Sequence, residues 1–217
     1  MVLDRGDSMT AQVMDEEKKQ KILNASIEEF SKGYSLASTN EIVRKAGVSK
    51  GLLFHYFGSK KNLFITVFKE AMSRLEKRLL ALYEADQENI KGDIFHRLTK
   101  IALMKLRLFQ DEPALYQFVA TALQDSPEDI KQELQALIDV AAEDGRIKFL
   151  GEIGFRDLRP DVDPHKALKL IQLVMDGLQK EYLARKDLTA LDWDIEVAEF
   201  TEYMEMLRKG LERKEVD

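Results

Sequence analysis

Apolar positions recur at steps of three and four residues along most of the chain, and no stretch shows the strict alternation of a half-buried strand. From Asp15, with acidic residues in its first turn, one such face carries Ile22, Ala25, Ser26 and Phe30, and Gly33 fits the left-handed position just past a helix end. Ser38 and Glu41 have the spacing of a capping box, which predicts a short helix stopping near Ala46. Gly47 turns the chain, Ser49 caps a second short helix over Lys50–Phe57, and Gly58 ends it. Ser59 then caps a long helix to about Leu82. Its stripe, from Leu63, Phe64, Val67 and Phe68 on to Leu75 and Leu79, is broad enough to pack on two bodies in succession.

The remainder reads as helix too. Asp93 caps a segment carrying Leu98, Ile101, Leu108 and Phe109. Asp111, Ser126 and Asp163 each precede a proline by one or two residues, and proline in a first helical turn is a start signal. Helices near 113–124, 127–148 and 164–185 follow, and a last one runs from Asp192 to about Arg213. The expectation is an all-α chain of about nine helices. Residues 1–14 lack periodicity and are expected to form a disordered arm.

Composition removes several function classes. The 217 residues include no cysteine, so thiolate catalysis, disulfide scaffolds and Cys-based zinc sites are excluded. The three histidines, at 55, 96 and 165, are too scattered for a metal cage. No Ser-His-Asp arrangement, Gly-rich phosphate loop or metal-spaced ligand set occurs, so neither an enzyme nor a cofactor site is expected. No apolar run reaches the ~20 residues that span a bilayer, and the first residues contain no apolar signal core, so a cytoplasmic protein without a membrane partner is expected. The net charge of −6 is uneven: residues 15–69 carry ten basic and six acidic side chains, residues 70–217 carry 22 and 31. Within 38–61, Arg44, Lys45, Lys50, Lys60 and Lys61 face Glu41 alone, which points to one polyanion-binding end on an acidic body.

That basic stretch is also the most patterned: STNEIVRKAGVSKGLLFHYFGSKK, two short helices joined at Gly47-Val48 in the manner of a helix-turn-helix. Ile42, Val43 and Ala46 of the first helix, Val48 of the turn, and Leu53 and Phe57 of the second supply its core. Lys50, Leu52, His55 and Tyr56 are left towards solvent, a composition suited to a helix lying in a DNA groove, with Ser49 and Lys50 at its leading end. Lys50 can donate to guanine O6 or N7, and Leu52 can meet a thymine methyl. Gly51 lets the backbone approach DNA, and the hydroxyls of Thr39 and Tyr56 can reach phosphates. Lys60 and Lys61 open the next helix, whose free N–H groups already favour an anion. His55 can serve a phosphate or a base equally. The same exposed residues would suit a protein partner, and salt dependence of binding separates the two cases.

The segment AGVSKGLLFHYF followed by GSKKNLF resembles the DNA-binding domain of the TetR (tetracycline-repressor-like) family of bacterial transcription regulators, over about residues 18–68. Leu52 stands where that family often has a hydroxyl residue, Phe54 where it often has tyrosine, and Asn62 where it often has a glutamate. The resemblance implies an N-terminal three-helix domain over 15–62 and a helical effector-binding and dimerisation domain over 63–217. It further implies a dimeric regulator, most often a repressor, released from a palindromic double-stranded DNA operator by a small-molecule effector.

Two residue sets follow from that implication. The last helix shows a seam of Trp193, Val197, Phe200, Met204, Leu207 and Leu211 at steps of four and three. Helix 164–185 presents Ala167, Ile171, Val174 and Leu178 on one face and Leu170, Leu173 and Gly177 on another. A homodimer through these two helices would use Leu170, Leu173, Val174, Gly177, Leu178, Phe200, Met204 and Leu207. Expected walls of an effector pocket are Met104, Phe109, Tyr116, Phe118, Phe149 and Met175. Lys105 joins them because it falls on the apolar stripe of Leu98, Ile101 and Leu108, where it either meets an acidic ligand or snorkels to water.

Overall fold

A computed structural model describes residues 6–150, 155–184 and 192–213. Among them nine α-helices follow one another: α1 (Gly6–Phe30), α2 (Thr39–Ala46), α3 (Lys50–Phe57), α4 (Lys60–Ala85), α5 (Ile94–Asp111), α6 (Pro113–Asp125), α7 (Glu128–Leu150), α8 (Pro164–Ala184) and α9 (Trp193–Leu211). The proline signals hold, since α6 and α8 begin on Pro113 and Pro164 and α7 begins just after Pro127. Asp93 caps α5 by accepting the His96 N–H at 2.8 Å, and Asp163 does the same for Lys166 at 3.0 Å. The start of the chain differs from expectation. Residues 6–14 belong to the first turns of α1 instead of an arm. Ala11, Gln12, Val13 and Met14 contain no helix breaker.

The chain divides into two compact units, one of residues up to Arg74 with Gln117–Ile138, the other of Leu75–Tyr116 with the described residues from Asp139 onward. By contacts, the first unit takes in more of the chain than the expected 15–62. The cause is the leading stripe of α4: Leu63, Phe64, Val67 and Phe68 are all buried, as is Phe118 of α6. Phe64 meets Phe30 edge-on at 4.8 Å between ring centroids and Phe118 at 5.7 Å, and Phe68 meets Phe118 at 6.3 Å. Such pairs add about 0.5–1.5 kcal/mol each beyond their buried area. Phe118, expected in a pocket wall, is thus a core residue of the first unit.

The second unit packs α9 against α5 and α8. Leu98, Ile101, Met104, Leu108 and Phe109 of α5 are buried. Phe109 stacks on Tyr116 at 3.8 Å, and the Trp193 ring lies 6.0 Å from Phe109. Phe149 is buried and meets Tyr83 edge-on at 5.2 Å, while Met175 of α8 is half-buried. Arg208 of α9 reaches the α5 cap Asp93 at 3.1 Å and Glu212 at 2.9 Å. The seam expected to face a partner on α9 faces inward: Phe200 and Met204 are 3% and 2% exposed and Leu207 is half-buried. The apolar residues that α9 leaves to solvent are Ile195, Val197, Tyr203 and Met206. On α8 the expectation fares differently: Leu170, Leu173 and Gly177 are exposed, Val174 and Leu178 half-buried, Ala167 and Ile171 buried.

Candidate nucleic-acid interface

Helices α2 and α3 are short because each is closed by a glycine that other residues would enter only with strain. Gly47 ends α2 at φ 66°, and Gly58 ends α3 at φ 73°. Ser49 starts α3 by accepting the Leu52 N–H at 3.1 Å. Leu53 and Phe57 anchor the helix inward, as Ile42 and Ala46 anchor α2. The face of α3 away from this core holds Lys50, Gly51 and His55, all exposed, with Leu52 and Tyr56 half-buried beside them. The rings of His55 and Tyr56 lie 5.8 Å apart.

The first helix is held differently from the sequence expectation. Ser38 makes no side-chain cap, and Glu41 pairs with Arg44 at 2.7 Å, so the capping box does not form. The Ser38 N–H instead donates to Oε1 of Glu29, nine residues earlier in α1, at 3.2 Å. Glu29 is 2% exposed, and its other oxygen takes Lys32 Nζ at 2.6 Å with Lys45 Nζ 3.8 Å away. Burial alone would raise the Glu29 carboxyl, but the Lys32 hydrogen bond, the Ser38 N–H and the charges of Lys32 and Lys45 outweigh it and hold it below the usual range. Glu29 is a structural residue of the site that local periodicity does not reveal, because its partner belongs to another element.

Of the five cations in the basic stretch, four are engaged within the first unit. Arg44 is on Glu41, and Lys45 is 2.7 Å from Glu28. Lys61 reaches Asp129 of α7 at 2.5 Å and Glu133 at 3.9 Å, which holds its ammonium above the ordinary range and the Asp129 carboxyl below it. Lys60 donates to the Ala37 carbonyl at 2.7 Å and sits 4.9 Å over the Tyr34 ring, where burial pushes its pKa down against the pull of Glu29. Both lysines expected to meet phosphates are therefore committed inside the unit. Among the described residues, Lys50 alone of the five has no ion pair or hydrogen bond.

Gly51 carries a second signal. Its φ is not positive, and a Cβ added there would meet nothing closer than the Ser49 hydroxyl at 3.9 Å. Among the described residues nothing requires glycine at this point of a helix, where alanine is the better helix former. A free cation, an absent side chain and two ringed side chains thus share one exposed helix face, presented by a helix-turn-helix of the kind that reads DNA grooves. Residues 22–67 match the family of bacterial regulatory proteins, tetR family. Curated relatives that it resembles are HTH-type transcriptional regulators.

The comparisons extend beyond that segment. The chain is 26% identical over 166 residues to the HTH-type transcriptional regulator BetI of Rhizobium meliloti, covering 76% of this chain and 77% of that protein. Its fold is similar to that of NalD of Pseudomonas aeruginosa, the secondary repressor of the MexAB-OprM multidrug efflux pump, with a TM-score of 0.66 at 22% identity over 92% of this chain and 98% of the other. It is similar also to the transcriptional regulator FadR of Bacillus subtilis, solved in complex with stearoyl-CoA, with a TM-score of 0.61 at 21% identity over 88% and 98%. Among the described residues no helix is long and apolar enough to cross a membrane.

Proposed function

We propose that the protein is a homodimeric repressor in the cytoplasm that binds a palindromic operator and leaves it when a small molecule occupies the second unit. The observation that carries the DNA-reading part is the unpaired Lys50 beside Gly51 on the open face of α3. Lys50 and His55 supply base or phosphate contacts, and Tyr56 and Thr39 supply hydroxyls to phosphates. Leu52 offers an apolar edge to a thymine methyl, while the Ser49 oxygen is spent on its cap and serves only to set the helix start. Lys60 and Lys61 shape the start of α4 and are not counted among the contacts.

Dimerisation through α8 and α9 is supported by the apolar residues these helices leave to solvent, Leu170, Leu173, Ile195 and Met206. The α9 contribution is this outer stripe in place of Phe200 and Met204. A twofold dimer sets two α3 helices about one DNA turn apart, ~34 Å, and requires an inverted repeat. Effector control is supported by the similar proteins, one a repressor linked to an efflux pump and one solved with an acyl thioester. Buried Met104, Phe109, Tyr116 and Phe149, with half-buried Met175, offer the apolar surroundings such a ligand needs. Helices α4, α6 and α7 have residues in both units and are the covalent route by which ligand binding biases DNA binding.

The test is a gel shift with DNA from upstream of the protein's own gene against unrelated DNA, across a salt series. Tight, salt-sensitive binding to the first alone supports the reading. Binding that ignores salt, or no binding to any duplex, contradicts it.

A further inference from the structure

The interior of α5 contains one residue out of keeping with its neighbours. Ile101, Ala102, Met104, Leu106, Leu108 and Phe109 are buried, and Lys105 lies among them, half-buried, one turn before Phe109. Among the described residues it forms no ion pair or hydrogen bond. Two other cations of α5 are engaged: Arg97 donates to the Phe149 carbonyl at 3.4 Å, and Arg107 is 3.7 Å from Asp111, while Lys100 is half-buried. Burial pushes the Lys105 ammonium below its ordinary range. Asp176 of α8 opposes that push electrostatically without coming into ion-pair distance. A cation held in this way costs stability unless something anionic reaches it.

We propose that Lys105 is the effector-binding cation of the second unit, and that the effector is an apolar carboxylic acid or a comparable amphiphilic anion. This rests on the ligand-responsive reading above and specifies its chemistry. The anionic head pairs with Lys105 in partly desolvated surroundings, where a charge-assisted hydrogen bond is strong. The apolar body lies against the α5 side chains and the stacked rings of Phe109 and Tyr116. Asp176 disfavours a second negative charge nearby, which selects a compact single head over a polyanion.

The chain carries its own reporter. Trp193 is its one tryptophan, and its ring lies 6.0 Å from Phe109. The experiment is titration of the intact protein, watched by Trp193 fluorescence, with two matched pairs of probes: decanoate against decanol, and 1-naphthoate against 1-naphthalenemethanol. The same compounds are tested for release of the protein from its operator. We expect at least one acid to bind about tenfold or more tighter than its alcohol, the scale of one charge-assisted hydrogen bond. In Lys105→Met that advantage disappears while alcohol binding stays. The variant is expected to fold, because it replaces an unpaired, half-buried charge by an apolar chain of similar length. Acids that bind no tighter than the alcohols, or equally well to Lys105→Met, overturn the assignment. If the alcohols release DNA as well as the acids do, the ligand-responsive reading stands and the assignment to Lys105 falls. If neither acid binds, the assignment falls as well.

Discussion

The buried carboxylate of Glu29 accepts the backbone N–H of Ser38 at 3.2 Å, so the entry to the first helix of the DNA-binding motif is held by α1 and not by its own capping residue. The arrangement leaves the Ser38 hydroxyl free of capping duty and gathers Lys32 and Lys45 around one acid. Thr39, the first residue of α2, inherits its position from this contact.

Replacing Glu29 separates its charge from its hydrogen bond. Glu29→Ala leaves the part-buried Ser38 N–H without its Glu29 partner and is expected to destabilise the protein by about 1–3 kcal/mol. Glu29→Gln keeps an acceptor for Ser38 and is expected to cost less. Chemical denaturation of the two variants checks this order. The acid side follows from the lowered carboxyl: its stabilisation is present above the pKa of the unfolded chain and is lost as pH falls through the folded value. Glu29→Gln should therefore show a shallower loss of stability on acidification than the parent.

Gly51→Ala should part stability from function. The added methyl has room among the described residues, so the first unit is expected to gain up to about 1 kcal/mol, read as a raised unfolding temperature. DNA affinity is expected to fall in the same variant because the methyl stands between α3 and the groove. A variant that is both more stable and fully active would show that close approach to DNA does not require that glycine.

Lys50→Ala and Tyr56→Ala are expected to weaken operator binding by about 1–3 kcal/mol for a lost base contact, or to lower the salt slope by about one for a lost phosphate. Sedimentation should show their oligomeric state unchanged. Lys61→Ala is expected to leave the salt slope nearly intact, because its ammonium is spent on Asp129 and Glu133.

Leu173 is 56% exposed on α8, and Phe200 is 3% exposed on α9. Leu173→Glu should dissociate the dimer and with it operator affinity while each protomer stays folded. Phe200→Ala should instead cost about 3–5 kcal/mol of folding stability through a cavity. Light scattering and denaturation of the pair distinguish surface from core.

The contrast between those two residues marks how far the sequence can be read. The helices are legible because their starts and stops are local: Asp93, Ser49, Gly47, Gly58 and the three prolines act within a turn of themselves. The seam at Trp193, Phe200 and Met204 is legible as a face, but periodicity does not say whose surface covers it. The outer stripe of Ile195, Tyr203 and Met206 is interrupted by Glu199 and Glu202 and carries no such signal. Phe118 escapes for a related reason, since its neighbours Phe30, Phe64 and Phe68 are far from it in sequence. The intramolecular partners of Lys60 and Lys61 are not legible, because a lysine at a helix start looks the same in sequence whether it meets a phosphate, the Ala37 carbonyl or Asp129. The exposed face of α3 is legible from only eight residues, because inward Leu53 and Phe57 leave little choice about which side is out.

The central claim is that this face reads DNA, and selection of duplexes from a random library by the purified protein tests it most directly. The predicted result is enrichment of an inverted repeat with half-sites about one helical turn apart, lost or altered in its half-site bases when Lys50 is replaced by Ala. A library that yields no repeat, or the same repeat with Lys50→Ala, Gly51→Ala and Tyr56→Ala alike, would contradict it.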